Sequence, residues 1–205
     1  MGAVLLYDMN NIRYTTRTHI GDWARDKLFR AALVIRGHAP ILWDIGSAAK
    51  LHREYLTWLP GESWQAGLST WRGAIDLEVG VEASNARKVA DVLREHGLDG
   101  EPLGVDVVEL PALRALENEG LHVVDAQALM MCARQIKTMD EIALLDQSAG
   151  LVDAAYEQLF RFLHVGAQEN QAVSLVNAEQ DRGSACGHGW TRSRALRGLR
   201  RQQAA

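Results

Sequence analysis

The chain has 205 residues, 47% of them apolar and 23% charged, with a formal net charge of −4, ordinary values for a globular protein holding one good core or one domain plus part of another. No run approaches the roughly 18 consecutive apolar residues that a membrane-spanning helix needs. Met1 to Asp8 carries no basic stretch before its short apolar run, so it lacks the form of a signal peptide, and the two cysteines, Cys132 and Cys186, are too far apart for a zinc knuckle or a disulfide framework. A cytoplasmic protein is expected.

Residues 3–7 form a short apolar run that reads as a buried strand, ending in a polar turn cluster at Asp8-Met-Asn-Asn11. Ala32 to Arg36 and Pro40 to Asp44 flank Gly37-His-Ala39 and predict a hairpin. A helix is expected over about 47–57, with Ala48, Leu51, Tyr55 and Trp58 on its apolar face. Residues 59–76, with Trp64, Leu68 and Trp71, are compatible with a loop or a short strand. Val81 to His96 places Ala86, Val89, Ala90 and Leu93 on one helical stripe, and Gly97 is a natural stop. Leu103 to Asp106 resembles a central strand. Pro111 suits the first turn of a helix closed by Gly120, Leu121 to Val124 reads as a strand, and Asp125 is placed to cap a helix through Met131. Strands alternating with helices predict a three-layer α/β domain with a largely parallel or mixed sheet over about 1–134.

The clearest local signal follows residue 138. Thr138-Met-Asp-Glu141 is a capping box, in which the threonine hydroxyl and the glutamate carboxylate each take the other's backbone N–H. Apolar residues then recur at 142, 145, 149, 152, 156, 159 and 163 until Gly166, predicting a rod on the order of 40 Å. Such a stripe is stabilised mainly by tertiary burial. The chain beyond it is too short to provide all the cover, so this helix is expected to open a second, incomplete domain spanning about 135–178.

Charge divides the chain. From Arg182 onward there are six arginines and no acid, leaving 16 basic against 26 acidic residues before it, a net of −10. The segment from about 179 has no apolar periodicity and is expected to be a disordered basic tail, with the composition of a shifted reading frame in a GC-rich gene. Phosphate binding through its arginines is the competing account. The acidic body and the lack of an aromatic platform argue against nucleic acid as a partner.

Three segments, in order, resemble the pita-bread metalloenzymes, the family of creatinase, prolidase and aminopeptidase P. Asp8-Met-Asn-Asn-Ile-Arg-Tyr-Thr15 resembles the first strand-to-turn element of the family's amino-terminal domain. Leu103-Gly-Val-Asp106 is similar to the strand after that domain's main helix. Ala133 to Ile142, continuing through Ser148-Ala149 and Asp153, resembles the junction at which the catalytic domain begins. Together they cover about residues 3–177. Asn11 to Thr15, with Ala32-Leu-Val34 and Ile41 to Asp44, is also similar to the dimethylsulfoniopropionate lyase branch of the same fold. The resemblance implies a creatinase-type amino-terminal domain with a mixed sheet, followed by the first helix of the pita-bread domain. It implies a parent that is a metal-dependent Xaa-Pro peptidase-like hydrolase. The alternatives are a creatinase- or dimethylsulfoniopropionate lyase-like parent, or a stand-alone dimerisation or binding module. Two aspartates, a histidine and two glutamates would hold the parent's divalent metal (Mn, Zn, Co or Fe) in the carboxy-terminal domain. Those motifs are not in this sequence, so the chain itself is expected to be inactive.

Family resemblance further implies a homodimer in which the amino-terminal domain of one subunit reaches the other's active site. Arg13 and Tyr14 are then the candidate substrate-binding residues, a guanidinium suiting the carboxylate of a small peptide or other small molecule. The alternative places Arg13 against sheet-edge carbonyls and Tyr14 in the core, and is favoured. Gly187-His-Gly-Trp190 is a coincidental likeness to a metal motif, since Cys186 and His188 alone do not make a zinc site. The remaining histidines and acids show no ligand or acid–base spacing, and no phosphate loop or nucleophile elbow is present.

Overall fold

The computed structural model describes residues 1–20, 30–67 and 79–186. Leu68, Trp71 and the segment from Gly187 onward, including His188, lie outside the described residues. The chain divides into two compact units, Met1–Ile136 and Lys137–Ala205.

In the first unit the elements run β1 (Ala3–Leu6), α1 (Met9–Thr16), β2 (Ala31–Ile35), β3 (Ile41–Asp44), α2 (Gly46–Tyr55), β4 (Trp64–Ala66), α3 (Val81–Glu95), β5 (Leu103–Val105), α4 (Leu110–Asn118), β6 (Val123–Asp125) and α5 (Gln127–Gln135). The strands form one sheet in the order β4-β3-β2-β1-β5-β6. β2 is antiparallel to both neighbours, while β3–β4, β1–β5 and β5–β6 are parallel. The sheet is therefore mixed.

Side chains alternate across a strand, and here both faces are apolar. Ala3, Leu5, Leu33, Ile35, Trp43, Leu103 and Val105 meet Val89, Ala90 and Leu93 of α3 and Leu116 of α4. Leu6, Ala32 and Leu42 point the other way, toward Ile12 of α1 and Met130 of α5. Helices on both faces make three layers, as the alternation of elements predicts.

Several expectations need correction. The polar run after β1 is the start of a helix: the Asp8 side chain accepts from the backbone of Asn10 and Asn11 and caps α1. The face of α2 read as apolar leaves Leu51 and Tyr55 substantially exposed, and the helix instead buries His52. Asp125 does accept from the Gln127 backbone, but α5 runs on to Gln135.

The second unit contains α6 (Met139–Phe162) and α7 (Glu169–Cys186), which pack on each other. Both halves of the capping box are made: Thr138 N–H donates to Glu141 Oε2 at 2.8 Å, and Glu141 N–H to Thr138 Oγ1 at 3.3 Å. Apolar spacing does not predict α7, which extends into the stretch after 179 expected to be disordered. The buried residue of α6 is Ala155, and Ile142, Leu145, Val152, Tyr156 and Leu163 of the apolar stripe are exposed.

Candidate functional site

α1 carries the two residues singled out by sequence. Arg13 is exposed on it. Tyr14 is 41% exposed and its hydroxyl donates to the Ala133 carbonyl of α5 at 3.1 Å. Neither occupies the place given by the favoured alternative, since Arg13 is on a helix rather than a sheet edge and Tyr14 is not in the core. The tyrosine hydroxyl is committed to α5, whereas the guanidinium faces solvent.

Two buried polar clusters hold this helix, and sequence spacing revealed neither. The first is centred on Asp106, just past the end of β5. Its Oδ1 accepts from Tyr7 N–H at 2.8 Å, and its Oδ2 from Asp8 N–H at 3.0 Å and Asn11 Nδ2 at 2.9 Å. The Asn11 amide also donates to Gln127 at 3.2 Å. Because β1 and β5 are parallel, their carboxyl ends lie together, and Asp106 joins the end of β1 to the first turn of α1. Charge-assisted bonds of this kind are stronger than neutral ones. The carboxylate is saturated by its own fold.

The second cluster lies at the other end of α1. Asp44 Oδ1 is 2.7 Å from Arg30 Nε, and Asp44 Oδ2 is 2.6 Å from His52 Nδ1. The Arg30 contact is electrostatic: neither Nε nor Nη1 makes an aligned hydrogen bond among the described residues. Arg30 Nη2 donates to Thr18 Oγ1 at 2.6 Å. Since the Thr16 hydroxyl donates to the Ile12 carbonyl, the 2.7 Å contact between the two threonines is a donation from Thr18 to Thr16. The chain of donors thus runs from Arg30 through both hydroxyls into α1. Burial works against the charge on Asp44, yet the His52 hydrogen bond and the field of Arg30 outweigh it and hold the carboxyl below its ordinary value. Burial likewise lowers Arg30, against the opposing pull of Asp44.

An aspartate on Nδ1 of a histidine supplies two of the three members of a nucleophile-activating triad. Here the other nitrogen, Nε2, faces the His19 carbonyl at 3.2 Å and the ring is buried. With Nε2 turned to a carbonyl rather than to a hydroxyl or thiol, the pair is a fastening between β3, α2 and the residues after α1. Among the described residues no three His, Cys, Asp or Glu side chains come together as metal ligands, so they offer no donor set for the divalent metal implied by family resemblance. Cys132 is exposed and free.

Both clusters are fastenings within the α/β unit, and comparison with known proteins bears on its fold. No protein-family model matches the chain. It is 31% identical over 142 residues to the dimethylsulfoniopropionate lyase DddP of Roseovarius nubinhibens, covering 69% of this chain and 31% of that protein. It is 27% identical over 200 residues to DddP of Roseobacter denitrificans, covering 95% of this chain and 44% of that one. Among solved structures, an Xaa-Pro dipeptidase from Bacillus anthracis superposes with a TM-score of 0.61 at 17% identity, over 88% of this chain and 44% of that one. The X-Pro aminopeptidase of Thermotoga maritima gives 0.62 at 12%, over 89% and 46%. In fold the chain matches these pita-bread enzymes, and in sequence it is similar to the two lyases. It spans less than half the length of each of these relatives. The buried carboxylates Asp44 and Asp106 are both engaged by groups of this chain's own fold. No helix among the described residues is long and apolar enough to cross a membrane.

Proposed function

We propose that this chain is the non-catalytic amino-terminal domain of a metal-dependent pita-bread enzyme, residues 1–134, joined to the beginning of the catalytic domain at 135–178. Its role is subunit assembly and control of access to the active site, in a cytoplasmic homodimer. The observation that carries this reading is coverage: 95% of the chain aligns with only 44% of the Roseobacter denitrificans protein. The saturation of Asp44 and Asp106 by structural partners supports it.

For the parent's chemistry, the Xaa-Pro peptidase reading draws on the solved neighbours, which share 12–17% identity and so speak for fold alone. Identities of 27–31% to two lyases favour the lyase branch, and we place that branch first. On either reading Arg13, exposed on a helix fastened at both ends, is the residue to meet a substrate carboxylate across the dimer, with Tyr14 beside it. The divalent metal would be held by the parent's carboxy-terminal domain.

The purified chain, supplied with Mn²⁺ or Zn²⁺, should release no dimethyl sulfide from dimethylsulfoniopropionate and cleave no Xaa-Pro dipeptide. Metal-stimulated turnover of either overturns the non-catalytic reading. Grafting residues 1–136 in place of the matching part of the Roseobacter lyase should retain lyase turnover, whereas the same graft on the Thermotoga aminopeptidase should abolish peptidase turnover. The reverse pattern would return the parent to the peptidase branch. Light scattering across a concentration series reads the assembly role, and a strictly monomeric chain counts against it.

A further inference from the structure

Two histidines from distant parts of the first unit meet on its surface. His38 lies in the turn between β2 and β3, is exposed, and its backbone N–H closes the turn on the Ile35 carbonyl at 3.1 Å. His96 follows the last turn of α3 and is half-buried. The ring centroids are 4.8 Å apart and the ring planes perpendicular. His96 Nδ1 is 2.9 Å from the Val92 carbonyl. A carbonyl only accepts, so Nδ1 carries the proton, and the neutral ring has its free lone pair on Nε2. A histidine that spends one N–H on a backbone carbonyl, which fixes both tautomer and ring orientation, has the arrangement found in metal-bound imidazoles.

The spacing has the same meaning. A metal–nitrogen bond of about 2.1 Å, plus about 1.1 Å from nitrogen to ring centre, puts each centroid about 3.2 Å from a shared ion. Two such rings are then separated by about 4.5 Å at a right angle and about 5.2 Å at the tetrahedral angle, the geometries of Cu²⁺ or Ni²⁺ and of Zn²⁺. The observed separation lies between these limits. An edge-to-face ring contact of purely packing origin also falls in this range, and experiment separates the two.

We propose that His38 and His96 form a two-histidine site for an imidazole-preferring divalent transition metal, Zn²⁺, Ni²⁺ or Cu²⁺, with water completing the coordination shell. No third His, Cys, Asp or Glu joins them among the described residues, so affinity comes from the two-point chelate and from the prearranged His96 tautomer. Hard cations such as Mg²⁺ and Ca²⁺, which prefer oxygen, should not compete. The site is independent of the metal expected in the parent's catalytic domain.

Calorimetric titration of the untagged 205-residue chain with NiCl₂, ZnCl₂ and CuCl₂ tests it directly. All titrations use the Cys186→Ser/His188→Ala background, which removes a thiol and an imidazole that are two residues apart in sequence. We expect a single site that weakens about 10- to 100-fold in both His38→Ala and His96→Ala, with His122→Ala unchanged. Far-ultraviolet circular dichroism confirms that the variants are folded. In a parallel nuclear magnetic resonance titration, Cu²⁺ should broaden the His38 and His96 ring signals first. Absence of binding to the background protein, or binding unaffected by either substitution, overturns the proposal and leaves the ring pair as a packing contact.

Discussion

Replacing Asp106 by alanine should destabilise the first unit out of proportion to the size of the change. The carboxylate accepts from Tyr7 N–H, Asp8 N–H and Asn11 Nδ2. Asp8 is only part-buried, so water can take over its N–H, and Asn11 keeps its bond to Gln127. Tyr7 N–H loses its buried Asp106 acceptor, and Asn11 loses its shorter bond. Each stranded buried donor costs about 1–3 kcal/mol, so the total is about 2–4 kcal/mol out of a typical 5–15 kcal/mol for a domain. For a unit of this size each kcal/mol moves the melting temperature by about 3–5 °C, giving a fall of about 6–20 °C. Thermal unfolding followed by circular dichroism, with urea unfolding as a check, reads the effect. Asp106→Asn, which keeps one acceptor oxygen but turns its amide protons toward the same donors, should fall between wild type and alanine. A drop of less than about 3 °C for Asp106→Ala would show that Asp106 does not hold β1 to α1.

Acid should act through Asp44. Its folded-state value lies below the ordinary one, so its contribution is present above about pH 4 and is lost as pH falls through the folded value. Below about pH 4, wild type should therefore lose stability more steeply than Asp44→Asn, and parallel curves from pH-dependent urea unfolding would contradict this. Gly104→Ala should cost about 1–3 kcal/mol, because the added Cβ would lie 2.5 Å from Met1 Sδ and 2.9 Å from Ala126 Cβ; the methionine can swing away and the alanine cannot, so a neutral result in urea unfolding would mean the backbone gives there. Ending the chain at Ile136 should leave the α/β unit's melting temperature nearly unchanged, since both core clusters lie within it, and should improve solubility by removing the exposed residues Ile142, Leu145, Tyr156 and Phe160. Loss of cooperative unfolding in that truncation would place the domain boundary elsewhere.

Much of the fold was legible because its signals are short-range. The capping box at Thr138 involves residues three apart, and the α3 stripe follows from spacing alone. The two apolar faces of the sheet show as unbroken hydrophobic runs in β1 and β2. The start of α1 is hidden because Asp-Met-Asn-Asn has the composition of a turn, and the same side chains that favour turns also cap helices. Asp8 does the second, and nothing local distinguishes the cases. α2 misleads for the opposite reason. Its stripe is a real periodicity, but docking is decided by His52 meeting Asp44, a polar contact that hydrophobic pattern does not record.

The candidate site was less legible, and the reason is separation in sequence. Asp106 serves Tyr7, Asp8 and Asn11 from almost a hundred residues away, and His38 meets His96 only because a turn and a helix end share one edge of the fold. Acid–base spacing searches look along the chain, whereas a parallel sheet brings together strand ends that are far apart along it. A usable sign was nevertheless present. Asp8, Asp106 and Asp125 each stand at or just beyond the end of an apolar strand, and an acid there is either a helix cap or a ligand. Asp8 and Asp106 resolve into a cap and a tether for backbone N–H groups, and Asp125 accepts from Gln127 at the start of α5. Those assignments use the acids for architecture. They leave the exposed Arg13 as the charged group on α1 with its side chain turned outward, which is why that arginine rather than any buried carboxylate is the residue to test in an assembled parent.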